Sequence, residues 1–123
     1  MYLKGQSLVT ILIVVIIALT LTAGAIMLTI TNSIASSTYA LGNQAYSVAE
    51  SGAENAIIRL LRDKAYVGET LAVGDNTATI TVSGINPYVI ISAGRAGNFV
   101  RKVEVSLNYP DSIMTINSWK QVQ

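Results

Sequence analysis

The 123-residue chain is 51% hydrophobic and only 12% charged, with a mean hydropathy of +0.50 and a formal net charge of +1. Soluble domains carry about 25% charged residues, and disorder needs low hydrophobicity with high net charge, so the composition argues against both an ordinary cytosolic domain and a disordered chain. Near-balanced charge removes the basic footprint of a nucleic-acid binder, and the lack of cysteine and histidine excludes disulfides, thiolate chemistry, the usual zinc sites and any histidine-based triad.

The charge is unevenly placed. Lys4 is the first charged residue and Glu50 the second; nothing between them is charged. From Leu8 to Ile30 the sequence is apolar except for the hydroxyls of Thr10, Thr20, Thr22 and Thr29 and the bare backbone of Gly24. A helix over this run is roughly 35 Å long, against a hydrocarbon core about 30 Å thick. So short a chain has little other structure to wrap such a helix, and the run reads as a membrane span. A secretory signal peptide has a shorter apolar region, about 7–15 residues, although Ser33-Ile34-Ala35 satisfies a small-x-small cleavage rule. Lys4 before the span favours a cytoplasmic N-terminus.

The helix is expected to continue past the membrane. The first proline is Pro87, and residues 31–63 hold only two glycines, Gly42 and Gly52. Ala45, Ala49, Ala53, Ala56, Ile57 and Leu60 recur at spacings of three and four and form one face, with Glu50, Glu54, Arg59 and Asp63 mostly off it. Glu50 and Glu54 form a like-charge i,i+4 pair, so packing must hold this segment. One helix over about 6–63 follows, roughly 87 Å long, with its break near Asp63–Gly68.

Residues 77–83 alternate, with Ile80 and Val82 on one face. Gly84-Ile85-Asn86-Pro87 is a turn, residues 88–93 a second strand, Gly94-Arg95-Ala96-Gly97-Asn98 a second turn, and residues 99–107 a third strand with Val103, Val105 and Leu107 facing in. Short connections imply an antiparallel meander with one polar face. The tail, with Ile113, Ile116, Trp119 and Val122, fits either a fourth strand or a docked irregular segment. The fold class is α+β: a long N-terminal helix, membrane-spanning in its first half and packed in its second half on a small antiparallel meander.

The junction Lys4-Gly5-Gln6-Ser7-Leu8 resembles the processing site of type IV prepilins and type II secretion pseudopilins. The segment Ala45-Tyr46-Ser47-Val48-Ala49-Glu50-Ser51-Gly52-Ala53-Glu54-Asn55-Ala56, the Gly-rich turn, the Arg101 strand and Ser118-Trp119-Lys120 are similar to one minor-pilin subgroup. The resemblance implies a leader of residues 1–5 carrying the Lys4 charge, a transmembrane or filament-core half over 6–30, and a soluble head over 31–123. It implies cleavage after Gly5 by a membrane aspartyl prepilin peptidase, with Gln6 the new, methylated first residue. The implied partners are other pilin subunits through the helix, the peptidase, an inner-membrane assembly platform, and the membrane itself before assembly. The implied location is the cell membrane, then an extracellular or periplasmic filament.

Two positions depart from the family pattern. Gln6 stands where most members have phenylalanine or methionine, and Thr10 stands where most have glutamate. In the family that carboxylate pairs with the N-terminal ammonium of a neighbouring subunit. Thr10 cannot supply the pairing, which points to a minor, specialised position. Ala18, Ala23, Gly24 and Ala25 permit close helix approach, and the threonines can bond backbone carbonyls in lipid or in a filament.

The other readings are a static single-pass protein with a binding or sensing ectodomain and a secreted small domain. An enzyme is not expected, nor a cofactor or metal. Glu50 and Glu54 read as a solvated face without nucleophile or base, and Asp75-Asn76 as a plain turn. Trp119 with Tyr109 reads as a core plug or a contact patch, and Arg95, Arg101 and Lys102 as the ordinary charges of a solvated strand and turn, or as a group that meets DNA or an anionic surface.

Overall fold

The computed structural model describes the backbone of residues 2–123 and the side chains from Lys4 onward; Met1, the first residue of the expected leader, lies outside the described residues. The elements run α1 (Tyr2–Arg62), β1 (Thr70–Val73), β2 (Asn76–Ser83), β3 (Tyr88–Ala96), β4 (Phe99–Asn108) and β5 (Thr115–Val122). The five strands form one antiparallel sheet in sequence order, a meander as expected. Two compact units result, one ending at Thr38 and the other Tyr39–Gln123.

In the second unit, α1 presents to the sheet the face read from the sequence. Ala45, Ala49, Ala53, Ala56 and Leu60 are fully buried, and Ile57 packs half-buried beside them. On the sheet, the alternating inner positions Ile80, Val82, Tyr88, Ile90, Val103, Val105 and Leu107 complete the core. Outward positions of β2 are exposed, as a sheet covered on one side requires.

Helix-to-sheet spacing is set by small residues. Gly94 pairs with Ala78 and Arg101 in the ladder, and a Cβ added to it would strike the Ala45 carbonyl oxygen and the Ala49 amide, 2.9 Å from Ala49 Cα. A Cβ on Gly52 would likewise strike Ser92 Oγ and come 2.8 Å from the Ala78 methyl. Along β3 the inward side chains run Tyr88, Ile90, Ser92, Gly94, Ala96. Backbone thus nearly meets backbone at the Ala45 end, while full side chains fill the space at the Leu60 end. Ser92 is fully buried, and its hydroxyl finds no hydrogen-bond partner among the described residues.

The structure corrects four boundaries. Helix α1 begins at Tyr2 rather than Gln6, because nothing at Lys4-Gly5 breaks the helical run. It ends at Arg62, where the Asp63 carboxylate accepts the Ala65 amide at 2.9 Å and turns the chain. Gly94 and Arg95 are strand, not turn; the glycine serves helix packing, and only Gly97, at φ 58°, needs the left-handed conformation of the β3–β4 turn. β1 was not expected at all. Its pairing is extended by the Ile80 amide donating to the Glu69 carbonyl at 2.8 Å and the Val82 amide to the Val67 carbonyl at 2.9 Å.

The tail is the fifth strand. Leu107 pairs with Ile116 and Ser106 with Ser118, so Asn117 is the extra residue of a bulge. That bulge brings Ile116 and Trp119, three apart, to the same face. Trp119 lies opposite Val105 and packs half-buried on the core.

Gly94→Ala should lower stability by about 1–3 kcal/mol, since the added methyl has only helix backbone to push against. Gly24→Ala, where nothing lies within 4 Å, is the control and should lose nothing. Chemical denaturation followed by near-ultraviolet circular dichroism reads both.

Candidate functional site

The candidate site is the exposed segment of α1 that holds the expected processing junction and the apolar run. Lys4, Gly5, Gln6 and Thr10 lie on its first turns, and every described side chain from Lys4 to Ala40 is exposed. No atom beyond the local backbone comes within 4 Å of a Cβ placed on Gly5, so this position is open to a large partner. The helix brings Gln6 and Thr10 together: the Thr10 hydroxyl donates to the Gln6 carbonyl at 2.9 Å. Gly5 and Gln6 remain within an unbroken helix rather than an extended strand.

The other threonines follow the same rule. Thr20 donates to Ile16 O at 2.8 Å, Thr22 to Ala18 O at 2.8 Å, Thr29 to Ala25 O at 3.0 Å and Thr31 to Met27 O at 2.9 Å. Each hydroxyl is therefore satisfied by its own helix, as the sequence suggested, and presents little polarity outward. Around them Leu8, Ile11, Ile17, Leu21, Met27 and Ile30 are all exposed. By length and composition this helix is able to cross a membrane, and within the protein none of its most apolar stretch is buried. A bilayer or other helices would remove that surface from water at roughly 25 cal/mol per Å².

The polar groups of the second unit are mostly structural. Glu69 Oε1 accepts from Asn55 Nδ2 at 3.0 Å and from the Tyr66 hydroxyl at 3.1 Å, and lies 3.4 Å from Arg59 Nε. This three-way contact ties the chain leading into β1 back to α1. Sequence spacing did not reveal it, because Asn55, Arg59 and Glu69 meet only through the turn at Asp63. Lys64 Nζ sits 4.4 Å from the centre of the Tyr109 ring, and the Tyr109 hydroxyl reaches the Leu61 carbonyl at 3.5 Å. Tyr109 and Trp119 both pack on the core. Glu54 and Asp75 are exposed and Glu50 half-buried, and among the described residues no three histidine, cysteine, aspartate or glutamate side chains are grouped as a metal site.

Burial, the hydrogen bond to Glu69 and that carboxylate's charge together push Tyr66 up to about 12, with Arg59 opposing. The folded value thus exceeds the ordinary value of 10.0, so the contribution is complete below pH 10 and is lost as pH rises toward 12. Stability of the native protein should fall across that alkaline window. Tyr66→Phe should flatten the fall, as measured by denaturant midpoints at stepped pH.

Compared with known proteins, the chain matches no protein-family model, no curated protein and no solved structure.

Proposed function

We propose that this chain is a structural subunit, minor rather than major, of a type IV pilus-like or type II secretion filament. A prepilin peptidase releases it after Gly5, and it assembles through the apolar half of α1. The observation that carries the reading is the apolar run itself: 23 residues from Leu8 to Ile30, exposed on every side, within the same helix whose far end packs on a sheet. Such a surface is stable in lipid and equally stable among like helices, which is what a subunit stored in a membrane and then extracted into a filament requires. Self-satisfied threonines make the transfer possible without stranding a hydroxyl.

Lys4-Gly5 directly before the run supports cleavage there, and Thr10 supports the minor assignment. A carboxylate at position 10 would need a buried counter-charge in a filament, and leaving one unpaired is strongly destabilising. Thr10 closes onto Gln6 instead and needs no partner. The subunit would sit in the cell membrane with its N-terminus cytoplasmic, then in an extracellular or periplasmic filament. Its partners would be other subunits, the peptidase and an assembly platform.

Mass spectrometry of the mature N-terminus, from cells that hold a prepilin peptidase, tests the reading. The expected product begins at a methylated Gln6, and replacing Gly5 with a bulky residue leaves the leader attached. Spectra that begin at Met1 favour a static single-pass protein, and spectra that begin near Ser36 favour a secreted domain; either contradicts the proposal.

A further inference from the structure

We propose that the tip of the β3–β4 hairpin is a docking surface for anionic phospholipid headgroups. Arg95, Arg101 and Lys102 all lie within four residues of the turn; Arg95 and Lys102 share the outer face of the sheet with Val100, and Arg101, opposite Gly94, lies on the helix face. Arg101 donates from Nη1 only to the carbonyl of Val100, at 3.1 Å, and none of the three cations forms an ion pair among the described residues. By contrast Arg59 and Lys120 each hold a carboxylate. The tip also carries exposed Val100 on the outer face and half-buried Phe99, opposite Ala96, on the helix face. A hairpin end with an apolar residue and an unpaired cation on each face suits a bilayer interface, where the end enters the headgroup layer edge-on and the cations meet phosphates.

Placement along α1 favours lipid over a soluble anion. Within the second unit the hairpin tip lies where the helix enters: a Cβ on Gly42 would come 3.3 Å from Arg101 Nη2, and Gly94 covers Ala45 and Ala49. Gly42 is twelve positions beyond Ile30, the end of the apolar run, and even fully extended that stretch reaches no more than about 40 Å. A span in the bilayer therefore holds the tip at high effective concentration above the same bilayer, so a patch of three cations suffices. This inference rests on the membrane span and not on cleavage or filament assembly.

The chain has no cysteine, so Asn98→Cys in the turn takes a single polarity-sensitive fluorophore. Full-length protein is reconstituted in nanodiscs of phosphatidylcholine, alone or mixed with phosphatidylglycerol. The fluorophore should shift to the blue and brighten only in the anionic discs. Each of Arg95→Gln, Arg101→Gln and Lys102→Gln should weaken that contact about fivefold. The response should disappear near 1 M salt, where the screening length is about 3 Å. Ile85→Cys, in the loop at the other end of β3, should report nothing. The exposed pair Arg95→Gln and Lys102→Gln alone decides the matter if Arg101→Gln disturbs folding. Equal emission in both disc types, a response retained by that pair, an equal response at Ile85→Cys, or a chain that does not enter discs would overturn the proposal.

Discussion

Along its contact with β3, α1 approaches so closely that Ala45 and Ala49 present backbone, not side chain, to Gly94. The head depends on this approach. It brings Gly52 onto Ser92 and Ala78, and lets a 24-residue stretch of helix, Tyr39 to Arg62, cover one face of the sheet with alanines rather than large side chains. Glycine within a helix costs about 1 kcal/mol relative to alanine. At Gly52 that cost is offset by contact that a methyl would prevent. The unpaired Ser92 hydroxyl is a second cost of the same geometry: the helix seals it from water without offering an acceptor. Larger residues return where they have room, at Leu60, Ile90, Tyr88 and Leu107.

The two halves of α1 solve opposite problems with different residues. From Ala45 to Leu60 the small apolar face is spent inside the protein. From Leu8 to Ile30 large aliphatic residues point in all directions and are covered by nothing among the described residues. The threonines that interrupt this run bond their own helix, so the exterior behaves as apolar in any low-dielectric setting. A subunit that moves between lipid and a filament and a protein permanently anchored in lipid both need that property. Cleavage after Gly5 would separate them, because only the former requires a defined point of cleavage.

Much of this architecture was legible in the residues. The 45-residue charge gap from Gly5 to Ala49 and the three-and-four spacing from Ala45 to Leu60 announced the helix and its buried face, and period-two alternation announced β2 and β4. What was not legible is tertiary. Gly94 looks like a turn residue, because glycine in a strand has meaning only once the helix above it is known. β1 is four residues long and holds only as an edge on β2. The tail obscured its own pairing, because the bulge at Asn117 breaks the alternation that identifies a strand. Of the candidate site, Gly5, Gln6 and Thr10 could be named from sequence, whereas the Thr10–Gln6 bond and the Glu69 contacts needed coordinates.

The central claim is that the head completes its own core and the apolar half of α1 has no partner among the described residues. A fragment beginning at residue 31 tests it most directly. Its state of association is read by sedimentation and its packing by the cooperativity of thermal unfolding in the near-ultraviolet. The account predicts a soluble monomer with one cooperative transition, because the Ala45-to-Leu60 face and the five-stranded sheet bury each other without help from residues 1–30. A fragment that aggregates, or that keeps helix and strand signals without a cooperative transition, would show that the apolar half is needed to fold the head and would contradict the account.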